Sequence, residues 1–225
     1  MNPFSDIKNP GVYPLFIDGP VGRLEVELTI PEHPNWNYVA LIGHPHSLQG
    51  GTMNNKVVTT LTRAYKEVHV PSIRFNFRGV GQSFGEYDKG VGESEDMLHL
   101  AQLWKHVFPT AVVSFAGFSF GSYVAYRAVV RYKEVVEDKT FLITIAPSVH
   151  NYNYAEFSIE STGWIVVQGD ADEIVPAQLV YDFATRISPG LPLLRFENTG
   201  HFFHGKLIEL KARLVDVIKD QVINS

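Results

Sequence analysis

The sequence predicts an α/β protein built on a mostly parallel, doubly wound sheet of about eight strands. Short apolar or alternating segments, typical of strands, take turns along the chain with longer segments whose apolar residues recur at helical spacing. Strands that alternate with helices favour a parallel sheet covered on both faces. With 225 residues, 45% of them apolar and 19% charged, the chain suits one globular domain spanning residues 1–225.

The predicted strands are of two kinds. Residues 23–30 alternate apolar and polar side chains, which indicates a half-buried strand, and we expect it to form an antiparallel edge of the sheet. Tyr38–Ile42 is a continuous apolar run that ends at a glycine, as in a strand buried on both faces. The other predicted strands are residues 72–77, 111–116, 141–146, 164–167 and 193–196.

Helical spacing of apolar residues defines the segments between these strands. The segment from residue 93 carries acidic side chains in its first turn, and the one from Pro176 opens with proline, both typical of helix starts. The predicted helices are residues 55–68, 93–108, 120–132, 176–187 and 203–222.

Composition excludes several classes of function. Lys and Arg total 19 against 24 Asp and Glu, a net charge of -5, which disfavours nucleic-acid binding. The absence of cysteine excludes disulfides, thiolate metal sites and a cysteine nucleophile. No segment resembles a signal peptide or has the length of an apolar membrane span. We therefore expect a cytoplasmic protein without nucleic-acid or membrane partners, either a monomer or a homodimer.

A candidate nucleophile lies in Gly117-Phe118-Ser119-Phe120-Gly121, between a predicted strand and a predicted helix. A sharp turn in that context exposes the central serine and requires small neighbours two positions away on either side. The same G-x-S-x-G pattern recurs around Ser83. Ser83 stands several residues past its strand and no helix follows directly, so we interpret it as a loop residue and Ser119 as the nucleophile.

A serine nucleophile needs a base and an acid to orient that base, in the chain order serine, acid, base. His201 follows the last predicted strand and is preferred to His204, which is expected in the first turn of the closing helix. Asp172 is far enough past its strand to reach the next loop and is preferred to Asp170. Glu173 is expected to cap the following helix or to face water.

An oxyanion requires N–H donors that are already in place. The N–H of Phe120 is one candidate, because it opens the helix after Ser119. The second is the N–H of His46, since the preceding Pro45 has none. His44 and His46 have a metal-ligand spacing, but no further ligands accompany them, so no metal is expected. No phosphate-binding glycine motif follows a strand, so no nucleotide cofactor is expected either.

Together these motifs resemble the α/β-hydrolases over nearly the whole chain. The matching segments are Gly117–Gly121 (the nucleophile turn), Gly169–Asp172 (the G-x-x-D acid turn), Gly200–His201 (the Gly-His base), His44–Pro45 (the His-Gly oxyanion motif, with proline in place of glycine) and Arg74–Gly85 (a glycine-rich loop). The closest resemblance is to small lidless bacterial hydrolases near the dienelactone-hydrolase group. That group uses a cysteine nucleophile, which this chain lacks, so its particular activity is not carried over.

The resemblance implies a serine hydrolase, most simply a carboxylesterase that cleaves small acyl esters through an acyl-enzyme. An acyltransferase, a perhydrolase and a non-catalytic binding protein of the same fold remain alternatives. The segment 147–162, where lidded relatives insert a cap domain, is too short to hold one, so the site is expected to be open. Three aromatic residues of that segment, Tyr152, Tyr154 and Phe157, either line the site or pack as a surface loop.

Overall fold

The computed structural model describes residues 2–135, 139–154, 163–187 and 191–223. In these residues the chain forms one eight-stranded sheet with the order β1-β2-β4-β3-β5-β6-β7-β8. The strands are β1 (Gly11–Gly19), β2 (Gly22–Ile30), β3 (Tyr38–Gly43), β4 (Ser72–Phe75), β5 (Val112–Phe118), β6 (Thr140–Ile145), β7 (Gly163–Gly169) and β8 (Leu193–Phe196). Strands β3 to β8 run parallel, as the sequence predicts.

Helices cover both faces of the sheet. They are α1 (Lys56–Glu67), α2 (Val91–Val107), α3 (Phe120–Val135), α4 (Ala177–Ile187) and α5 (Leu207–Ile223). Helices α1 and α5 bury their apolar side chains in the core on one face, and α2, α3 and α4 do so on the other. The doubly wound arrangement is therefore confirmed. None of the helices in the described ranges has both the length and the apolar character needed to cross a membrane.

The N-terminal edge of the sheet differs from the prediction. Strand β1 occupies that edge, and β2 lies second, antiparallel to both β1 and β4. Gly11, Pro14 and Gly19 interrupt the pattern of β1, which is why no strand was expected there. Proline is tolerated at the edge of a sheet because one row of N–H groups has no strand to bind.

The closing helix also begins later than predicted. Phe203 has a φ of 54° and Gly205 a φ of 74°, both in the left-handed region, which a right-handed helix cannot include. Helix α5 therefore starts at Leu207 rather than at Phe203. Because the helix starts later, the loop after β8 is long enough to fold back over the carboxyl edge of the sheet. The loops after β3, β5, β6 and β7 also lie at this edge.

Candidate active site

Ser119 lies in the tight turn between β5 and α3. Its φ of 56° is in the left-handed region, an uncommon conformation for a residue with a side chain. A Cβ atom on Gly117 would collide with the main chain of Gly121, and one on Gly121 would collide with the carbonyl groups of Gly43 and His44. The two glycines are thus required by close main-chain approaches, and they let the turn present the Ser119 hydroxyl above the sheet edge.

Hydrogen bonds join Ser119 to His201 and His201 to Asp172. The distance from His201 Nε2 to Ser119 Oγ is 3.0 Å, and that from His201 Nδ1 to Asp172 Oδ2 is 2.9 Å. All three residues are buried, with at most 8% of their surface exposed. The structure thus brings together the three residues that the sequence motifs single out.

Asp172 is held as an ionised acceptor. Burial alone would raise the pKa of its carboxyl group, but the hydrogen bond from His201 and those from the N–H groups of Val175 and Ile174 bring that pKa below its usual range. Oδ1 accepts from the N–H of Val175 at 2.7 Å and from that of Ile174 at 2.9 Å. Because Oδ2 faces His201, Nδ1 of the imidazole carries the proton and Nε2 presents a lone pair to Ser119.

The other two carboxylates of this turn, Glu173 and Asp170, link the loop that holds Asp172 to the loop that holds His201. Glu173 is exposed, as one of the two expectations had it, and its Oε2 also accepts from the N–H of His201 at 3.1 Å. Asp170 is exposed; its Oδ1 accepts from the N–H of Thr199 at 3.4 Å, and its own N–H donates to the carbonyl of Phe196 at 3.0 Å. The N–H of Ala171 donates to the carbonyl of Thr199 at 3.1 Å. The loops after β7 and β8 are thus fixed to each other, with Asp172 between them.

The alternatives to Ser119 and His201 lie elsewhere. Ser83 is buried in the loop after β4, where its hydroxyl donates to the carbonyl of Asn76 at 2.6 Å and accepts from the N–H of Glu25 at 2.9 Å. It therefore ties that loop to β2. His204 is exposed in a turn before α5 rather than in the first helical turn.

The loop after β3 lies against the turn that holds Ser119. His44 is fully buried, with Nδ1 2.6 Å from the carbonyl of Pro45 and Nε2 accepting from the N–H of Phe77 at 3.0 Å. Both ring nitrogens are thus in use. The ring of His46 packs on that of Phe120, the first residue of α3, with centroids 5.2 Å apart. Across the described segments, no group of three or more His, Asp or Glu side chains could hold a metal ion.

Comparison with solved structures places this geometry in a family. A serine hydrolase without a lid from Xanthomonas campestris is 39% identical and superposes with a TM-score of 0.87 over 95% of this chain and 96% of its own. The chain belongs to the α/β serine hydrolases.

Further comparisons agree with this family. An α/β serine hydrolase homologue from Coxiella burnetii is 41% identical, with a TM-score of 0.84 over 94% of this chain and 99% of its own. An uncharacterized protein of Rickettsia prowazekii is 32% identical over 91% of this chain and 87% of its own. A dienelactone hydrolase from Anabaena variabilis, 13% identical with a TM-score of 0.72 over 93% of this chain and 97% of its own, shares the fold. No family model matches the chain. The lidless α/β-hydrolase fold predicted from the sequence is thereby confirmed.

Aromatic side chains form a wall beside Ser119 in this α/β serine hydrolase. The ring of Tyr152 lies 5.3 Å from that of Phe120 and 4.6 Å from that of Tyr123. The hydroxyl of Tyr87 is 3.1 Å from that of Tyr152 and 3.2 Å from His46 Nε2. Tyr152 is half-buried at the site, whereas Tyr154 is buried in the core beneath it. Phe157 lies outside the described residues.

Two buried polar residues at the site carry no motif that sequence reasoning could use. Gln168, at the end of β7, donates through Nε2 to Asp172 Oδ2 at 3.0 Å and so helps to hold that carboxylate in place. Ser148, after β6, has its Oγ 3.3 Å from Ser119 Oγ. Only their positions in the sequence could have indicated these two residues. Each is a polar residue at the carboxyl end of a buried strand, where ligands bind in such sheets.

We expect the stability of the hydrolase to fall as the pH drops from 6.5 towards 4, because of His44. Burial lowers the pKa of His44 from 6.5 to about 4, despite the hydrogen bond to the Pro45 carbonyl. Below pH 6.5 the unfolded chain binds a proton that the folded chain excludes, so at pH 5 the free energy of unfolding is lower by about 2 kcal/mol. His44→Gln removes this titration and keeps an acceptor for the Phe77 N–H.

Urea unfolding of both proteins at about pH 7.5 and about pH 5 measures the difference. We expect the variant to lose less stability on acidification than the wild type, whereas His204→Gln, at an exposed position, should follow the wild type. Equal losses in His44→Gln and the wild type would contradict the assignment to His44.

Proposed function

We propose that this hydrolase is a carboxylesterase that cleaves small acyl esters through an acyl-enzyme on Ser119. The observation that carries the proposal is the continuous hydrogen bonding from Asp172 through His201 to Ser119, with distances of 2.9 and 3.0 Å. A serine hydroxyl beside an imidazole nitrogen, with a carboxylate on the other ring nitrogen, suits nucleophilic acyl transfer.

In the proposed reaction, Ser119 Oγ attacks the ester carbonyl while its proton moves to His201 Nε2. The imidazolium so formed lies against the ionised Asp172, which stabilises it. The tetrahedral intermediate expels the alcohol, which takes the proton from His201. A water molecule then attacks the acyl-enzyme, gives its proton to His201, and the released Ser119 oxygen takes that proton back.

The oxyanion is proposed to bind the N–H groups of Phe120 and His46. The Phe120 N–H opens α3, and the first N–H groups of a helix have no partner within it and favour negative charge. The N–H of Ser119 itself is not free for this role, since it donates to the carbonyl of Ile145 at 2.8 Å. The packing of the His46 ring on Phe120 supports the second donor.

The wall beside the site favours a small, uncharged acyl group. Burial lowers the pKa of His46 and raises the pKa of Tyr152, so both side chains are neutral near pH 7. Each buried methylene group contributes about 0.8 kcal/mol, but only while the protein surrounds it. With no cap domain to extend the wall, further methylene groups of a long chain stay in water and add nothing to binding, while ordering the longer chain at the site costs conformational entropy.

We therefore expect kcat/KM to be highest for acyl groups of about two to six carbons and to fall for longer chains. A series of p-nitrophenyl esters of increasing acyl length measures this directly. The rate should show no jump when the substrate forms an interface, because no lid has to open. A steady rise of kcat/KM up to acyl chains of about twelve carbons or more would contradict the proposed preference for small acyl groups.

A further inference from the structure

Ser148 presents a second buried hydroxyl to the atom proposed to attack the substrate. Only 5% of its surface is exposed, and its Oγ lies 3.3 Å from Ser119 Oγ. Ser119 Oγ thus has two hydrogen-bonding neighbours, the imidazole of His201 and the hydroxyl of Ser148.

The chain holds Ser148 in this place firmly. Ala146, directly after β6, has a φ of 45°, in the left-handed region that a residue with a side chain rarely adopts. The carbonyl of Ser148 then accepts from the N–H of Asn151 at 3.1 Å and from that of Tyr152 at 3.2 Å. An unusual main-chain turn and two hydrogen bonds therefore fix the residue that contacts Ser119, as is common at functional sites.

The positions of the protons determine which of the two hydroxyls, Ser119 or Ser148, donates the hydrogen bond. His201 Nδ1 donates to the ionised Asp172, so Nε2 has no proton and accepts the one on Ser119. Ser119 has no second proton to give. Hence Ser148 is the donor, and Ser119 Oγ is the acceptor, whenever His201 is neutral.

We propose that Ser148 is a further catalytic residue, which donates a hydrogen bond to Ser119 Oγ while that oxygen carries negative charge. The proposal rests on Ser119 being the nucleophile. Charge develops on Oγ when its proton moves to His201 during attack, and again when the bond between Oγ and the acyl carbon breaks in deacylation. Ser148 keeps its own proton throughout. Its hydrogen bond is strongest at these two stages and weak to the neutral ester oxygen of the acyl-enzyme, so it stabilises the transition states selectively.

The test compares Ser148→Ala with a matched pair, Ser148→Thr and Ser148→Val, which differ by the hydroxyl alone. We expect Ser148→Ala to lower kcat/KM for a short p-nitrophenyl ester roughly tenfold to a hundredfold, the range for one hydrogen bond to a charged oxygen. The rate of labelling by a fluorophosphonate probe should fall by a similar factor, since that reaction uses the same attack by Oγ. Ser148→Thr should react faster than Ser148→Val by both measures.

Ser72→Ala is the control, because Ser72 is buried in β4 and its hydroxyl has no hydrogen-bond partner within the described part of the chain. It should match the wild type. Rates for Ser148→Ala within about twofold of the wild type, with Ser119→Ala inactive, would overturn the role of Ser148 and leave the proposed function standing. Labelling that survives in Ser119→Ala would instead overturn the proposed function, and the role of Ser148 with it.

Discussion

Ser119→Ala is expected to lower kcat by about 10⁴-fold or more and to abolish labelling by a fluorophosphonate probe. Alanine leaves the turn without an atom that can attack a carbonyl carbon, so only binding and the proposed oxyanion donors contribute to the remaining rate. The substitution removes one hydroxyl from a buried position and should leave the fold unchanged. Hydrolysis of a short p-nitrophenyl ester and mass spectrometry of the labelled protein provide the two measurements.

Ser83→Ala is the matched control, because Ser83 stands in the second G-x-S-x-G segment of the chain. Its hydroxyl holds the loop after β4 to β2, so this variant should be less stable but should still bind the probe. Probe labelling that disappears in Ser83→Ala and persists in Ser119→Ala would show that the wrong serine was chosen.

His201→Ala is expected to lower kcat by about 10⁵-fold, and Asp172→Asn by about 10⁴-fold. Without the imidazole nothing accepts the proton of Ser119. An asparagine at position 172 donates where the carboxylate accepts, which favours the imidazole tautomer with its proton on Nε2, and that tautomer cannot accept from Ser119. Steady-state rates of the two variants measure these effects.

Two further substitutions test the choice of Asp172 over Asp170 and of His201 over His204. Asp170→Asn and His204→Ala should stay within roughly tenfold of the wild type, because both side chains are exposed and neither contacts the Ser119 hydroxyl. Unfolding curves of all four variants show whether any loss of rate is a loss of fold. The opposite ranking within either pair would reject that assignment.

Most of the sheet could be predicted because its central strands are continuous apolar runs between helical segments. Strand β1 could not, since Gly11, Pro14 and Gly19 are unfavourable in an ordinary strand and its apolar side chains occupy both faces. Its place depends on pairing with β2 rather than on its own pattern. The start of α5 was missed for a similar reason, because apolar spacing does not reveal the left-handed residues Phe203 and Gly205.

The same limit applies to the candidate site. Residues that stand in short sequence motifs could be predicted, whereas residues that depend on contacts between distant parts of the chain could not. Ser119, Asp172 and His201 each stand in a short motif after a predicted strand, and the chain brings them within hydrogen-bond distance. Ser148 and Gln168 stand in no motif. Their relevance arises from contacts with residues at other strands, 3.3 Å to Ser119 and 3.0 Å to Asp172, which only the folded sheet creates.

Hydrogen bonds link the loops after β7 and β8 to each other, and we expect them to determine how the candidate site opens on heating. Ala171 donates to Thr199, and His201 donates to Glu173, so neither loop can open without breaking bonds of the other. We expect the two loops to behave as one cooperative unit, in which the loop with His201 follows β8, a four-residue strand at the edge of the sheet. Ser119 follows β5, which has neighbours on both sides. We therefore expect local melting at this edge to displace Asp172 and His201 together, below the temperature of global unfolding.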